Sequence, residues 1–414
     1  MLTNSFNQDN KIIFKNFSYL SILRFFNIGV KFLLVAYLIR ILGEVNYGIY
    51  TWSDSIIQFF LIFINFGFNI YAAKYIVKDK NDATKTNTII SSIFTIKFFF
   101  FIMSFFILSL LWFFDPIKNH FNIILLMLLM GLGEVFYPIW YFQGIEKLKP
   151  ATIIIIVSRG LLVVGTFLLV KTPNDLYLFV LLVVLSNFIM GALGFFTLKK
   201  KYNYSFKIVS VKTLKKFIKE AYMFFFGMFF SLTFNLVTIF LIGIFFTMDY
   251  VSGFDISLKI VLVFIIPFDM LQQAVFPTIS RNKNKQLLKQ LIFGSFLIGI
   301  ALFFILFFFS TELLSLFGGY EMTKYSSVLQ TLAIIVPLVA VSLMLGSCTL
   351  IVFGHNSDFN VSLILSSIVY IIIILLLILY DKITFWNLIY LRVFSDFILL
   401  IIRIYYTVKR KIFI

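Results

Sequence analysis

Residues 361–380, VSLILSSIVYIIIILLLILY, form a continuous apolar run without a single charged side chain. A helix needs about 20 such residues to cross the roughly 30 Å hydrocarbon core of a bilayer. Similar runs recur along the whole chain and are separated by short polar connections. The stretch therefore predicts one transmembrane helix, and its repetition predicts a polytopic membrane protein.

Extending this search to both ends of the chain predicts an all-α polytopic membrane protein with about twelve transmembrane helices. The predicted spans are residues 17–40, 47–73, 89–113, 121–142, 152–170, 176–198, 221–246, 254–279, 289–309, 328–351, 361–380 and 385–406. The composition agrees, since 61% of the 414 residues are hydrophobic, 13% are charged and the mean hydropathy is +1.03. Soluble domains carry about 25% charged residues. The composition therefore excludes a soluble fold.

Lysine and arginine are distributed unequally between the two sides of the predicted membrane. If the N-terminus lies inside, the basic clusters at residues 74–85, 199–219 and 281–289 all face the cytoplasm, and the outer connections carry few basic residues. Positive charge retained on the cytoplasmic side is the usual topology signal. We predict that both termini are cytoplasmic. The net charge of +17 is explained by this bias, so no nucleic-acid partner is expected.

The longest polar stretch, residues 199–220, lies in the middle of the chain. We predict an N-terminal lobe at residues 1–200 with spans one to six, a basic cytoplasmic linker at 201–220, and a C-terminal lobe at 221–414 with spans seven to twelve. Parallel halves of this kind occur in several transporter folds.

Charged side chains within the spans are informative, because a charge at the bilayer centre costs at least about 2.5–3.5 kcal/mol unless it faces water or a partner. Arg24, Asn27 and Lys31 share one face of the first span. Arg24, Lys31 and Arg159 lack an acid one helical turn away in sequence. We predict that they line a cationic, water-filled cavity, together with Lys259 of the eighth span.

Uncharged and acidic polar residues extend this predicted cavity. Asp54, Gln58, Asn65 and Asn69 fall on one face of the second span, since their spacing follows the helical period. Asn235 lies on a similar polar face of the seventh span. We predict that all five line the cavity, together with Asn27 of the first span.

A second interpretation stays open for several charges. Two acid–base couples at i, i+4 spacing could neutralise each other within one helix. They are Asp255 with Lys259 and Arg392 with Asp396. Lys97 and Arg403 lie close enough to the cytoplasmic side for their long side chains to extend toward water.

An excess of cationic side chains in the cavity favours an anionic ligand, above all phosphate or diphosphate. Arginine offers such groups paired hydrogen bonds, and lysine offers a point charge. The sequence contains no phosphate-binding loop of nucleotide hydrolases, metal-binding cluster or nucleophile elbow. Transport, downhill or driven by an ion gradient, is therefore a better hypothesis than enzymatic activity or ATP hydrolysis.

Residues 138–146, PIWYFQGIE, lie at the end of the fourth predicted span. They resemble the P-x-W-x-F-Q-G-x-E signature of bacterial Wzx-type O-antigen and polysaccharide repeat-unit flippases, which belong to the MATE-like multidrug/oligosaccharidyl-lipid/polysaccharide exporter superfamily. Residues 16–20 (NFSYL), 38–43 (LIRILG) and 65–68 (NFGF) resemble further family motifs, with Asn65 in place of the usual acid. These motifs lie within about the first 150 residues, and the second half matches by organisation alone.

The resemblance implies a specific function. The family flips undecaprenyl-diphosphate-linked oligosaccharides from the cytoplasmic to the periplasmic leaflet of the bacterial inner membrane. Two six-helix lobes enclose a cationic cavity and alternate between inward-open and outward-open states. The lipid-linked oligosaccharide and membrane lipids are the implied partners, and other polysaccharide assembly proteins are further candidates.

The resemblance implies no cofactor, but coupling to a proton or sodium gradient is suspected in the family. We therefore treat the acids inside spans as candidates for ion coupling. Besides Asp54 of the polar lining, they are Glu134, Asp255, Asp269 and Asp396.

Two other functions remain as alternatives. A MATE-type drug/cation antiporter shares the fold class, but it carries mostly cationic substrates, which a cationic cavity would repel. A polytopic polysaccharide polymerase or glycosyltransferase usually has a large outer loop with catalytic side chains, and the outer connections here are short.

Overall fold

The computed structural model describes the backbone of residues 2–79 and 82–413, and the side chains of residues 29, 32–78, 82–230, 232 and 234–413. This part of the chain is helical and contains no strand. The side chains of Arg24, Asn27 and Lys31 lie outside the described residues.

Ten helices occupy the first part of the chain. They are α1 (Leu2–Asn65), α2 (Phe68–Asp79), α3 (Ala83–Leu111), α4 (Asp115–Asn119), α5 (Phe121–Leu128), α6 (Met130–Phe136), α7 (Ile139–Gly144), α8 (Lys149–Leu169), α9 (Leu176–Lys201) and α10 (Val211–Phe245). A short 3-10 helix at Pro173–Asp175 precedes α9.

Seven helices follow in the second part. They are α11 (Met248–Asn282), α12 (Lys285–Phe308), α13 (Ser310–Gly318), α14 (Ser326–Ala333), α15 (Ile335–Leu343), α16 (Asn356–Leu379) and α17 (Phe385–Lys409). A 3-10 helix at Tyr320–Tyr325 precedes α14, and a π-helix at Met344–Ile351 follows α15.

Within the described residues, nine helices are long and apolar enough to cross a membrane, and the count is ten if Val211–Phe245 is one span. Large apolar side chains such as Phe113, Phe308 and Leu379 are mostly exposed, as lipid-facing residues are. The chain is therefore a multi-span α-helical membrane protein. The total of twelve spans and the cytoplasmic position of both termini stay predictions.

The structure divides into two compact units. Unit 1 comprises Met1–Leu42 and Ser53–Phe229, and unit 2 comprises Gly43–Trp52 and Phe230–Ile414. The division falls inside α10, whereas the sequence suggested a linker at residues 201–220. Only residues 202–210 of that region are non-helical. Lysine is a good helix former, so the basic stretch does not interrupt α10.

Unit 2 thus contains a short segment from the N-terminal part of the chain. This segment begins at Gly43, whose φ of 77° interrupts the helical geometry of α1. Glycine adopts such a left-handed backbone without steric cost. The segment packs closely within unit 2, where a side chain on Gly48 would overlap the backbone of Met248. Trp52 is fully buried and donates to the carbonyl oxygen of Phe240 over 3.0 Å.

Candidate functional site

The fourth predicted span of unit 1 is broken at Pro138, and this break creates a buried polar site. Proline has no N–H, so the carbonyl of Glu134, four residues earlier, cannot receive its helical hydrogen bond. Instead, the Nζ atom of Lys97 in α3 donates to that carbonyl oxygen over 2.9 Å. The Lys97 side chain is completely buried. The prediction that Lys97 extends toward water is therefore wrong, because a carbonyl left free by proline holds its ammonium inside.

The carboxylate of Glu134 receives a second buried group. Asn65 donates from Nδ2 to Glu134 Oε2 over 3.2 Å. Asn65 ends α1, and the backbone turns to α2 through Phe66 (φ 43°) and Gly67 (φ 73°). We call Asn65, Lys97 and Glu134 the Glu134 cluster. Three different helices meet in it, so its geometry is a property of the tertiary fold.

Two side-chain amide oxygens, one in this cluster and one in the first turn of α2, can still accept a hydrogen bond. Within the described part of the chain, the Oδ1 atoms of Asn65 and Asn69 are buried and have no hydrogen-bond partner. A buried acceptor without a partner costs about 1–3 kcal/mol. The two amide oxygens could therefore receive a ligand, a water molecule or a cation.

Arg159 of α8 is half-buried in the same unit. Its guanidinium donates to Ser186 Oγ over 3.5 Å and to Asn187 Oδ1 over 3.3 Å. Asn187 packs directly against the backbone of Gly133, the residue before Glu134. The structure thus brings Arg159, Asn65 and Glu134 into one region of unit 1.

Asp54 and Gln58 lie one turn apart in α1, and Gln58 Nε2 donates to Asp54 Oδ1 over 3.1 Å. Both side chains are half-buried. Their contact agrees with the predicted polar face of the second span.

In unit 2, Lys259 does not stand as an isolated cation. Its Nζ atom lies 2.6 Å from Asp255 Oδ2 and donates to the Tyr47 hydroxyl over 2.8 Å. The Tyr47 hydroxyl donates to the same carboxylate oxygen over 2.5 Å. We call these three residues the Tyr47 triad. Asp255 and Lys259 therefore form an ion pair, as the second interpretation of these two residues expected.

A second neutralised couple lies in α17. Arg392 Nη1 is 2.5 Å from Asp396 Oδ2, and Arg392 Nε donates to Asn235 Oδ1 over 2.7 Å. Asn235 and Asp396, predicted separately as cavity lining and as an ion-coupling acid, are thus partners of one buried guanidinium.

Asp269 lies in α11, 14 residues after Asp255. This separation is roughly 20 Å along the helix axis at 1.5 Å per residue.

Arg403 is also buried, and it donates to the carbonyl and hydroxyl oxygens of Ser342 over 2.7 and 2.9 Å. The prediction that it extends toward water is wrong for this reason.

The polar patterns of single helices did not indicate Tyr47 or Lys97 as members of polar sites. Pro138 was the available signal for Lys97, because it implies a free carbonyl at Glu134.

No group of three or more His, Cys, Asp or Glu side chains that could hold a metal ion occurs among the described residues.

Comparison with known proteins identifies the family of this chain. The family model described as "Polysaccharide biosynthesis protein" matches residues 13–283. A protein of Escherichia coli (strain K12), provisionally named an O-antigen transporter, is 29% identical over 163 residues, which are 39% of each chain. A protein of Shigella dysenteriae with the same provisional name is 22% identical over 368 residues, covering 86% of this chain and 91% of that protein.

Two solved structures share the fold. The lipid II flippase MurJ in its inward closed conformation matches with a TM-score of 0.72 and 16% identity over 93% of this chain and 86% of that one. An inward-facing multidrug resistance MATE family transporter of the MOP superfamily matches with a TM-score of 0.70 and 13% identity over 95% and 98%. The fold is therefore MurJ/MATE-like, and the chain belongs to the polysaccharide biosynthesis protein family.

Proposed function

We propose that this protein flips undecaprenyl-diphosphate-linked oligosaccharide repeat units from the cytoplasmic to the periplasmic leaflet, for O-antigen or other surface polysaccharide synthesis. The family match over residues 13–283 is the observation that carries this proposal. The names of the Escherichia coli and Shigella dysenteriae relatives support it. The shared fold supports a transporter rather than an enzyme.

The proposed mechanism is alternating access through a cationic cavity. The diphosphate carries the negative charge of the substrate, so cationic side chains are its natural contacts. We propose Arg24, Lys31, Arg159 and Lys259 as these contacts. Arg159 is the best supported of the four, because Ser186 and Asn187 orient its guanidinium in a half-buried position. Lys259 would first have to release Asp255.

The polar lining of the same path would be Asn27, Asp54, Gln58, Asn65, Asn69 and Asn235. The amide groups and the carboxylate of this set suit a sugar, because they form hydrogen bonds with its many hydroxyl groups.

An ion gradient would supply the energy. Glu134, Asp255, Asp269 and Asp396 are the proposed coupling acids, with protons or sodium as the ion. Glu134 is the most favourable of these, because its partner Asn65 keeps a buried free acceptor. No cofactor is proposed. The proposed location is the bacterial inner membrane, with both termini in the cytoplasm.

The test is complementation of a bacterial strain that lacks its own repeat-unit flippase. Wild-type protein should restore surface polysaccharide, and Arg159→Ala should reduce it at least tenfold at equal membrane levels. Arg159→Lys separates charge from paired hydrogen bonding, since lysine keeps only the charge. The matched control is Lys171→Ala, which removes an exposed cation. Full activity of the Ala variants at Arg24, Lys31, Arg159 and Lys259 would reject the cationic path.

The MATE-like fold also suggests a drug/cation antiporter as a second candidate. The same strain decides between the two. Polysaccharide restored without resistance to cationic dyes supports the flippase, whereas resistance without polysaccharide supports the antiporter.

A further inference from the structure

Unit 2 contains a cavity of about 330 Å³ that the proposed path does not use. It lies where three chain segments begin or end: the start of α11, the 3-10 helix at Tyr320–Tyr325, and the start of α17. Ligand pockets have volumes of about 300–1,000 Å³, so this cavity suits a small polar group rather than a long chain.

Four of the eight residues that line the cavity are aromatic. Tyr250 lies 4.7 Å from Phe385 and 6.1 Å from Tyr325 between ring centroids, and Trp386 lies 6.2 Å from Phe385. Phe385 and Tyr325 are buried, whereas Tyr250 and Trp386 are 37% and 38% exposed. Two exposed rings therefore stand beside a buried aromatic floor. We call this site, with its polar edge described next, the aromatic cavity.

The polar edge consists of Asp249 and Lys324, and Glu44, which is outside the lining, also contacts the ammonium. Lys324 Nζ lies 2.8 Å from Glu44 and 3.7 Å from Asp249. Asp249 also receives hydrogen bonds from the hydroxyl of Tyr325, over 2.9 Å, and from the hydroxyl of Thr247. These contacts hold the Asp249 carboxylate and the Lys324 ammonium in place at the edge of the cavity.

This combination selects a class of ligand. The one ammonium of this edge is already paired with two carboxylates, so it is not free to bind phosphate or diphosphate. Carboxylates accept hydrogen bonds from hydroxyl and amino groups, and the negative face of an aromatic ring attracts positively polarised C–H groups. A sugar ring presents both kinds of group. Aromatic anchoring at the bilayer interface would explain Tyr250 and Trp386 but not the buried floor or the shared ammonium.

We propose that the aromatic cavity is a saccharide-binding subsite, which receives a neutral or amino sugar of the oligosaccharide. By the topology that the basic residues predict, this end of the helices faces the outer side of the membrane. The subsite would therefore hold the sugar as it leaves the protein on the periplasmic side. This inference rests on the proposed flippase function.

The test measures binding to the full-length protein in detergent by saturation-transfer difference NMR. The probe is the oligosaccharide released by mild acid from the polyprenol-diphosphate-linked intermediates of the producing cells. Wild type should bind it saturably. Trp386→Ala and Asp249→Asn should each weaken binding at least fivefold, and Trp386→Phe, which keeps a ring, should retain it. The matched control is Tyr405→Ala, which removes an exposed aromatic ring near the other end of α17.

A thermal unfolding scan of each sample identifies variants that do not fold. Unchanged binding in folded Trp386→Ala and Asp249→Asn, or no saturable binding by wild type, would overturn the subsite. Loss of the NMR signal on addition of phosphoethanolamine would assign the cavity to lipid head groups and also overturn it. Complementation is measured in parallel. If wild type binds the sugar but restores no polysaccharide, the flippase function and the exit role are rejected. If wild type restores polysaccharide but does not bind the sugar, only the subsite is rejected.

Discussion

The buried charges of unit 1 and unit 2 have different partners. In the Glu134 cluster, Lys97 donates to a backbone carbonyl and Glu134 accepts from an amide. In unit 2, Asp255 and Lys259 lie 2.6 Å apart, and Asp396 and Arg392 lie 2.5 Å apart. Opposite charges at such distances form ion pairs, whereas the hydrogen-bond partners of Lys97 and Glu134 are neutral groups. Arg403 of unit 2 resembles Lys97 in this respect, because its partner Ser342 is also neutral. We infer that the Glu134 cluster of unit 1 can still receive a ligand or ion through Asn65, and that the two ion pairs of unit 2 stabilise the fold in this state.

The strongest test of this contrast is Asp396→Ala in unit 2. It leaves Arg392 buried without its anion, and breaking a buried pair from one side costs about 3–5 kcal/mol. Chemical denaturation of the purified protein should show this loss in the free energy of unfolding. The double variant Arg392→Leu/Asp396→Leu should recover most of it, because no unpaired charge remains. Equal destabilisation of the single and double variants would show that the pair itself is not responsible.

Tyr47→Phe should have an intermediate effect on stability. It removes the hydroxyl that donates to Asp255 and accepts from Lys259, but it leaves their ion pair and the ring packing intact. We expect a loss of about 1–2 kcal/mol, since hydrogen bonds to charged groups are the stronger ones. The control is Tyr405→Phe, which changes an exposed ring and should alter unfolding by less than about 0.5 kcal/mol. A loss as large as that of Asp396→Ala would contradict the proposed role of the pair.

The smallest change in stability is expected for Lys97→Met in unit 1. The variant leaves the carbonyl of Glu134 without a partner, which costs about 1–3 kcal/mol, but it also removes the cost of burying an ammonium, and the two effects offset each other. The free energy of unfolding should therefore change by less than about 1 kcal/mol. Surface polysaccharide in the complementation assay should nevertheless fall at least tenfold. A large loss of stability with normal transport would reverse the contrast between the units.

Much of the fold class followed from the sequence, and the reason is local. Each span is a continuous apolar run such as residues 361–380, and a bilayer allows only a helix for such a run. The i, i+4 spacing of Asp255 with Lys259, and of Arg392 with Asp396, likewise indicated that each couple could form an ion pair. These features depend only on residues close together in the chain.

The units could not be derived in the same way. Nothing in the periodicity of the first predicted spans shows that residues 43–52 pack within unit 2. The left-handed Gly43 permits the change of direction, but the backbone of Met248 and the carbonyl of Phe240, far along the chain, receive the segment. The same is true of the aromatic cavity, whose lysine and one of its tyrosines come from a region that the sequence showed only as a short outer connection.

By itself, the sequence determined that this is a multi-span helical membrane protein with charges inside its spans, because hydrophobicity and helical period are read within one segment. Only the tertiary structure decided which of those charges are neutralised. Lys97 and Arg403 looked similar as lone cations near span ends, yet each is buried against an oxygen from another helix. The partner of a buried charge is set by helix packing, and that packing brings together residues far apart in the chain.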